Sequence, residues 1–310
     1  MREGPGTGAT AEASGGASVQ PVLQLREVDV AYHGDIRILQ GLSIAVQPGR
    51  ITGVIGPNGA GKSTALRALY GLLKPVAGDV LIDGQVVTGL PPWKFIERGI
   101  ALVPQGRSLF NELSVDDNLR LACWSFRSDK ARVAEALERA YEQFPMLKDR
   151  RRDLAGAMSG GQQRFLELGR ALALQPRVVL LDEPTAMIAP KLATEIYEFI
   201  HGLPARGITV LLVDQNVRQC VRVSDHVYVL ELGRNKVDGS VSAFAQDEDL
   251  RNLIADWVDY RIDAKWVIPH GPAALPPPMV ACVNRNVKSF SSDHGMPIEA
   301  VMRPGAEKRR

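Results

Sequence analysis

The sequence predicts an α/β fold with a mainly parallel core sheet, and three stretches carry that prediction. Ile51–Ile55 is an apolar, β-branched run that enters a glycine-rich loop followed by a helical pattern at Ala65–Leu69. Val178–Leu181 is continuously apolar, as a parallel strand covered on both faces is, and it ends on the carboxylates Asp182 and Glu183. Ile208–Val213 is a third apolar run of strand length.

The remaining elements follow in order. Val22–Ala31 and Leu42–Val46 predict strands of an early antiparallel sheet, and Asp79–Val87 adds a hairpin turning at Asp83-Gly84. Lys130–Phe144 places Val133, Ala136, Leu137, Ala140 and Phe144 at intervals of three and four, the pattern of an amphipathic helix packed on a core. His226–Ser240 reads as a second hairpin and Leu250–Tyr260 as a last helix. From Lys265 the composition turns to Gly271-Pro272, a run at Pro276–Pro278 and a basic end at Lys308–Arg310, which predicts a disordered extension.

The loop itself reads Gly56-Pro57-Asn58-Gly59-Ala60-Gly61-Lys62-Ser63-Thr64, a Gly-x-x-x-x-Gly-Lys-Ser/Thr arrangement. Its glycines let successive backbone N–H groups face phosphate oxygens without a Cβ in the way. Lys62 is placed to reach the β- and γ-phosphates, and Ser63 to ligate Mg²⁺. Strand, loop and helix put the phosphates at a helix N-terminus, so the chain is expected to bind ATP or GTP.

Residues Met158-Ser159-Gly160-Gly161-Gln162-Gln163, followed by a helical stretch and then by Asp182-Glu183-Pro184-Thr185, resemble the ATP-binding cassette (ABC) ATPases. The resemblance covers about residues 22 to 260 and implies a P-loop NTPase fold with an antiparallel β subdomain and a helical subdomain. It implies that Ser159, Gly160, Gly161 and Gln162 complete the nucleotide site of a second subunit, their helix N-terminus favouring an anion. Asp182 is implied to hold Mg²⁺, Glu183 to polarise the attacking water, and Gln105 to contact metal and water and to link the core to the helical lobe. An aromatic residue near the N-terminus is implied to stack on adenine: Tyr32 offers the larger neutral π-face, whereas alignment to the following glycine selects His33.

Two departures from the general cassette pattern narrow the resemblance. Gln215, in Val213-Asp214-Gln215-Asn216, stands where many cassettes place a phosphate-sensing histidine; its amide donates a hydrogen bond without an imidazolium's charge. Ala189 stands where many have an aspartate. Both, together with Val103-Pro104-Gln105-Gly106-Arg107 and Phe110-Asn111-Glu112-Leu113-Ser114-Val115, are similar to the smaller-type ATPase subunit of branched-chain amino acid importers. Met187 takes a place where that branch usually has glycine, beside a loop implied to cross the dimer.

Composition sets outer bounds. With 310 residues, 45% apolar and 23% charged, the chain can bury a substantial core. No apolar run reaches the roughly 20 residues that span a bilayer, so a membrane role is expected to use a partner. A net charge of +2 argues against direct nucleic-acid binding. The 3 cysteines, Cys123, Cys220 and Cys282, form no Cys-x-x-Cys pair, so neither a disulfide framework nor a zinc site is expected.

The expected organisation is a flexible tail at 1–20 without a secretory core, an ATP-binding domain at 21–263 with a helical lobe at about 105–160, and an extension at 264–310. The expected function is that of an ATP-hydrolysing subunit with ATP and Mg²⁺ as cofactors, dimerising head to tail with a second copy or a related subunit. It is expected in the cytoplasm, on the inner face of the membrane, driving permease subunits that import branched-chain or similar amino acids; urea and amides remain open. A regulatory cassette, motivated by Gln215, Ala189 and Met187, is one alternative. A non-transport cassette is another, disfavoured by a single cassette without sustained heptads.

Overall fold

Alternation along the core strands sorts the molecule into two apolar layers. The computed structural model describes residues 19–32, 36–106 and 108–246; residues 1–18 of the expected N-terminal tail, the C-terminal extension, the Leu250–Tyr260 helix, His33 and Cys282 lie outside the described residues. The chain runs β1 (Leu23–Tyr32), β2 (Ile36–Val46), β3 (Ile51–Ile55), α1 (Lys62–Leu69), β4 (Ala77–Ile82), β5 (Gln85–Val86), α2 (Pro92–Glu97) and β6 (Ile100–Val103). It continues through α3 (Val115–Ala122), α4 (Lys130–Gln143), α5 (Pro145–Asp149), α6 (Gly160–Ala173), β7 (Val178–Asp182), α7 (Pro190–His201) and β8 (Thr209–Val213). Beyond these come α8 (Val217–Val223), β9 (His226–Glu231), β10 (Arg234–Ser240) and α9 (Val241–Gln246).

Strands β9, β3, β8, β7 and β6 are parallel neighbours in that order, with β10 antiparallel on the outer edge of β9. All residues of β3, β7 and β8 are buried, as their continuous apolar runs predict. Val54, Val178, Leu180, Leu211 and Val213 face a layer shared with α1 and the antiparallel sheet. Ile55, Val179, Leu181, Val210 and Leu212 face the layer built by the helical lobe. Each such side chain contributes roughly 1.5–3 kcal/mol when fully buried, so both faces of the sheet are anchored.

The antiparallel sheet has the order β2-β1-β4-β5. Its expected hairpin is present, with Asp83 (φ 49°) and Gly84 (φ 74°) both left-handed, the conformation a tight two-residue turn requires. β2 begins at Ile36 rather than at Leu42, because Gly41 (φ 67°) interrupts the alternation without ending the strand. The Gly41 N–H donates to Asp29 Oδ1 at 2.6 Å, which satisfies the peptide at the irregularity.

In the helical lobe, α4 buries Val133, Ala136, Leu137 and Ala140 as its spacing predicts, and Asp129 caps its N-terminus. Phe144 then packs its ring 5.5 Å from Phe165 of α6 and 4.9 Å from Phe199 of α7, tying the lobe to the core. In the pairing register Asp182 lies opposite Val213, and Val213 opposite Val54, so the chain leaves β3, β7 and β8 at one edge. The carboxyl ends of parallel strands are where such sheets gather chemistry.

Candidate functional site

The glycine-rich loop leaves β3 in a conformation that side chains resist. Gly56 has φ 151°, and a Cβ there would fall on the Leu230 carbonyl oxygen. Gly61 has φ 98° and precedes α1, which no side chain caps, so the first amides of that helix open into the loop. Lys62 is buried, and its Nζ donates to the Gly56 carbonyl at 2.8 Å and to that of Pro57 at 3.1 Å. Burial pulls its pKa down, opposed by the carboxylates of Glu183, Asp182 and Asp214.

Those carboxylates arrive from the two neighbouring strand ends. The Ser63 hydroxyl donates to Asp182 Oδ1 at 3.1 Å, and burial pushes the Asp182 carboxyl up, against the pull of that hydrogen bond. Glu183, next along the chain, is left-handed (φ 45°), and its N–H donates to the Val213 carbonyl at 2.8 Å. Both of its oxygens are engaged: Gln105 donates to Oε2 and Gln215 to Oε1, each at 2.5 Å. The Ser63–Asp182 and Gln105–Glu183–Gln215 hydrogen bonds bring side chains of four segments together, with the Lys62 ammonium in the field of both carboxylates. Ala60 is buried beneath the loop, Thr64 is half-buried on α1, and Pro57, Asn58 and Gly59 are exposed at the tip.

A second chain of bonds lies behind this cluster. Tyr197 of α7 donates to Asp214 Oδ2 at 2.8 Å and lies 2.9 Å from the Thr185 hydroxyl, while Asp214 Oδ1 accepts from the Asn216 N–H at 2.8 Å. Burial raises both the Asp214 carboxyl and the Tyr197 phenol. The loop between Thr185 and α7 projects Met187 fully into solvent, at φ 59°. Ala189 stands at the N-cap of α7 and offers no capping side chain.

Ser159, exposed, caps α6 in a reciprocal box: its Oγ accepts from the Gln162 N–H at 3.4 Å, and its own N–H donates to Gln162 Oε1 at 3.0 Å. Arg150 also donates to Gln162 Oε1, at 2.6 Å. Gly160 is open to solvent, while a Cβ on Gly161 would strike Leu192 of α7. Ser159 therefore performs the local capping job, and its O–H is still available as a donor. Tyr32 is half-buried at the end of β1, opposite Ile36, and makes no hydrogen bond to the cluster among the described residues.

Sequence reasoning missed Arg164, Glu167, Ser108, Tyr197 and Asp214. Arg164 and Glu167 form a buried ion pair of 2.7 Å within α6. Charges three apart on a helix face that is otherwise apolar were the available signal. Asp214 ends an apolar strand in the same way as Asp182, which marks it equally.

The sequence profile of the ABC transporter family matches residues 39–186. The high-affinity branched-chain amino acid transport ATP-binding protein BraG of Pseudomonas aeruginosa is 39% identical over 221 residues, 71% of this chain and 94% of that protein. The lipopolysaccharide export system ATP-binding protein LptB of Escherichia coli K12 is 34% identical over 233 residues, 74% of this chain and 95% of that protein. Among solved structures, the ATP-binding cassette MJ0796, dimeric in a post-hydrolysis state bound to ADP and Pi, superposes with a TM-score of 0.61 at 26% identity, covering 71% of this chain and 98% of that one.

Proposed function

Because this chain belongs to the ABC transporter family and is an ATP-binding, ATP-hydrolysing subunit of a transport system, we propose that it powers an importer of branched-chain or similar amino acids. Residues 21–263 are the ATP-binding domain and about 105–160 its helical lobe. The observation that carries the chemistry is Glu183, held between Gln105 and Gln215 next to the Ser63–Asp182 pair.

In this reading the amides of residues 56–64 and the Lys62 ammonium hold the β- and γ-phosphates, with Tyr32 against the adenine. The converging oxygens of Ser63 and Asp182, 3.1 Å apart, are hard donors of the kind Mg²⁺ takes, and the Gln105 amide oxygen can add to them. The cation would neutralise phosphate charge. Glu183 accepts the proton of the attacking water, and its two glutamine donors fix the carboxylate while Gln215 also offers its amide to a phosphate oxygen.

The exposed end of α6, with Ser159, Gly160, Gly161 and Gln162, serves the nucleotide of a second cassette in a head-to-tail dimer. That the similar cassette MJ0796 is dimeric supports pairing of two cassettes. Among the described residues no helix is long and apolar enough to cross a membrane. In this reading the chain acts through permease subunits on the cytoplasmic face. The docking surface is the Gln105–Leu119 stretch, where Phe110 is 54% exposed. The likeness to BraG favours amino acids as cargo, and the likeness to LptB supplies the rival, an export substrate.

The test has two arms. Glu183→Gln is expected to lower ATP hydrolysis by about 10²–10⁴-fold while ATP still binds; parental hydrolysis would remove Glu183 from the water-activating role. Affinity purification from detergent-solubilised native membranes is expected to recover a multi-spanning permease, whose loss abolishes uptake of labelled leucine. Recovery of a permease whose loss leaves uptake of every amino acid intact overturns the cargo assignment.

A further inference from the structure

We infer that the buried Arg164–Glu167 pair is a positioning device that fixes the loop carrying Gln105 relative to Glu183. The inference rests on the reading of Glu183 as the residue that activates water.

One guanidinium touches both sides of the catalytic contact. Arg164 Nη1 donates to the Pro104 carbonyl at 3.2 Å, immediately before Gln105, and Nη2 donates to the carbonyl of Glu183 itself at 3.3 Å. Glu167 completes the clamp from the far side of the loop: its Oε2 pairs with Arg164 at 2.7 Å, and its Oε1 accepts from the Ser108 N–H at 2.6 Å and from the Ser108 hydroxyl at 3.0 Å. Arg170, one turn further on, donates to the Ser108 carbonyl at 2.6 Å. Residues on either side of Gln105 are therefore tied to α6, and α6 is tied to the Glu183 peptide.

That peptide needs holding. Glu183 is left-handed, which costs a side-chain residue roughly 1–2 kcal/mol, and its carboxylate direction follows from this backbone twist. β8 holds its N–H through Val213, and its carbonyl accepts from Arg164 at 3.3 Å as well as from the Ala186 N–H of its own turn at 3.1 Å. With both peptide groups fixed and the Gln105 loop fixed to the same helix, the 2.5 Å contact between Gln105 and Glu183 is a consequence of α6 rather than of either loop alone. Arg164 and Glu167 are only 5% and 6% exposed. Burying both charges costs desolvation that their attraction roughly repays, so stability is a poor account of the pair, whereas registry of two loops is the kind of use to which buried ions are put.

The experiment measures kcat, KM, ATP affinity and thermal midpoint of the full chain carrying Arg164→Met, Arg164→Lys, Arg164→Met/Glu167→Met, Ser108→Ala, Gln105→Ala, Arg164→Met/Gln105→Ala or Glu183→Gln. Arg164→Met is expected to lower kcat about tenfold or more with ATP affinity within about threefold of the parent, and Arg164→Lys to recover part of the loss. The double variant removes both buried charges and is expected to melt near the parent yet stay slow. Ser108→Ala, the mildest change, is expected to lower kcat by about two- to fivefold, again at unchanged affinity. Arg164→Met and Gln105→Ala are expected to combine to much less than the product of their separate effects, because both act on one contact. Parental kcat in both the folded double variant and Ser108→Ala, or full multiplicativity of Arg164→Met with Gln105→Ala, overturns the inference. Parental kcat in Glu183→Gln overturns the underlying reading instead, so the two failures are separable.

Discussion

Gln215 donates its side-chain amide to Glu183 Oε1 at 2.5 Å, across the gap between the ends of β8 and β7. With Gln105 on the other oxygen, the carboxylate is fixed by two neutral donors. Two neutral amides fix the direction of the carboxylate through hydrogen bonds, without an ion pair to either oxygen.

Gln215→Ala therefore frees one oxygen of Glu183 and is expected to reduce kcat by about ten- to a hundredfold, the kinetic equivalent of about 1.5–3 kcal/mol for a hydrogen bond to a charged group. ATP affinity should fall less than kcat, since Gln215 is one phosphate donor among many. Steady-state kinetics paired with equilibrium nucleotide titration check this, and an unchanged kcat would show that Gln105 alone orients the carboxylate.

Tyr197→Phe keeps the ring in its packing and removes the hydroxyl that joins Thr185 to Asp214. One oxygen of a buried carboxylate then loses its donor, an expected cost of about 1–3 kcal/mol. Urea denaturation of the two proteins reads the difference, and a change below about 0.5 kcal/mol would mean that another donor replaces the phenol.

Asp214 gives that network a pH signature. Burial raises its carboxyl above the usual carboxylate range, so the folded state holds the proton more tightly than the unfolded state does. The sign follows: its contribution to stability is greatest at low pH and is lost as pH rises through the raised value. Asp214→Asn removes the titration, so the variant's stability relative to the parent should rise as pH climbs from 3.8, the ordinary aspartate value, through the raised one. Denaturation midpoints of both proteins across that range are the check; a constant difference removes Asp214 from the account.

Met187 is a site of backbone strain at the surface. Its left-handed φ of 59° costs a residue with a Cβ roughly 1–2 kcal/mol, part of which glycine gives back through chain entropy. Since the side chain is fully exposed and packs on nothing, Met187→Gly is expected to stabilise the protein by about 0.5–1 kcal/mol. Thermal denaturation decides, and a destabilised variant would mean that chain entropy outweighs the strain.

The core was legible because its signals are local. Apolar runs gave β3, β7 and β8, three-four spacing gave α4, and Asp83-Gly84 gave its hairpin. Glycine spacing marks Lys62 and Ser63 and the end of an apolar strand marks Asp182 and Glu183, whereas Gln105 and Gln215 were named through the resemblance to ABC ATPases. What escaped is the second layer of contacts. Arg164 meets Pro104 and Glu183 across 60 and 19 positions of chain, and Ser108 meets Glu167 across 59, separations that no periodicity encodes. The extra length of β2 escaped for a different reason: the alternation breaks at Gly41, where the Asp29 side chain takes up the peptide N–H and pairing with β1 resumes on the other side.

Ser159 distinguishes a local role from one across a dimer. As an N-cap it is worth about 1 kcal/mol, and an arginine there would forfeit the cap and set a cation at the positive end of α6, a penalty of a further ~0.3–1 kcal/mol. Those costs leave the fold intact, because Ser159 and Gly160 are exposed and Gly160 has open space around it. If the end of α6 closes on the γ-phosphate held by a second subunit, the same arginine does much more, since its bulk fills the space the nucleotide must occupy. In a Glu183→Gln background, which is expected to trap the ATP-bound dimer, adding Ser159→Arg should return the protein to monomer by light scattering. ATP affinity at the chain's own glycine-rich loop should remain near that of Glu183→Gln. The cassette subunit that co-purifies from native membranes is the partner to use where the chain does not pair with itself. A dimer that persists with Ser159→Arg would confine Ser159 to capping its own helix.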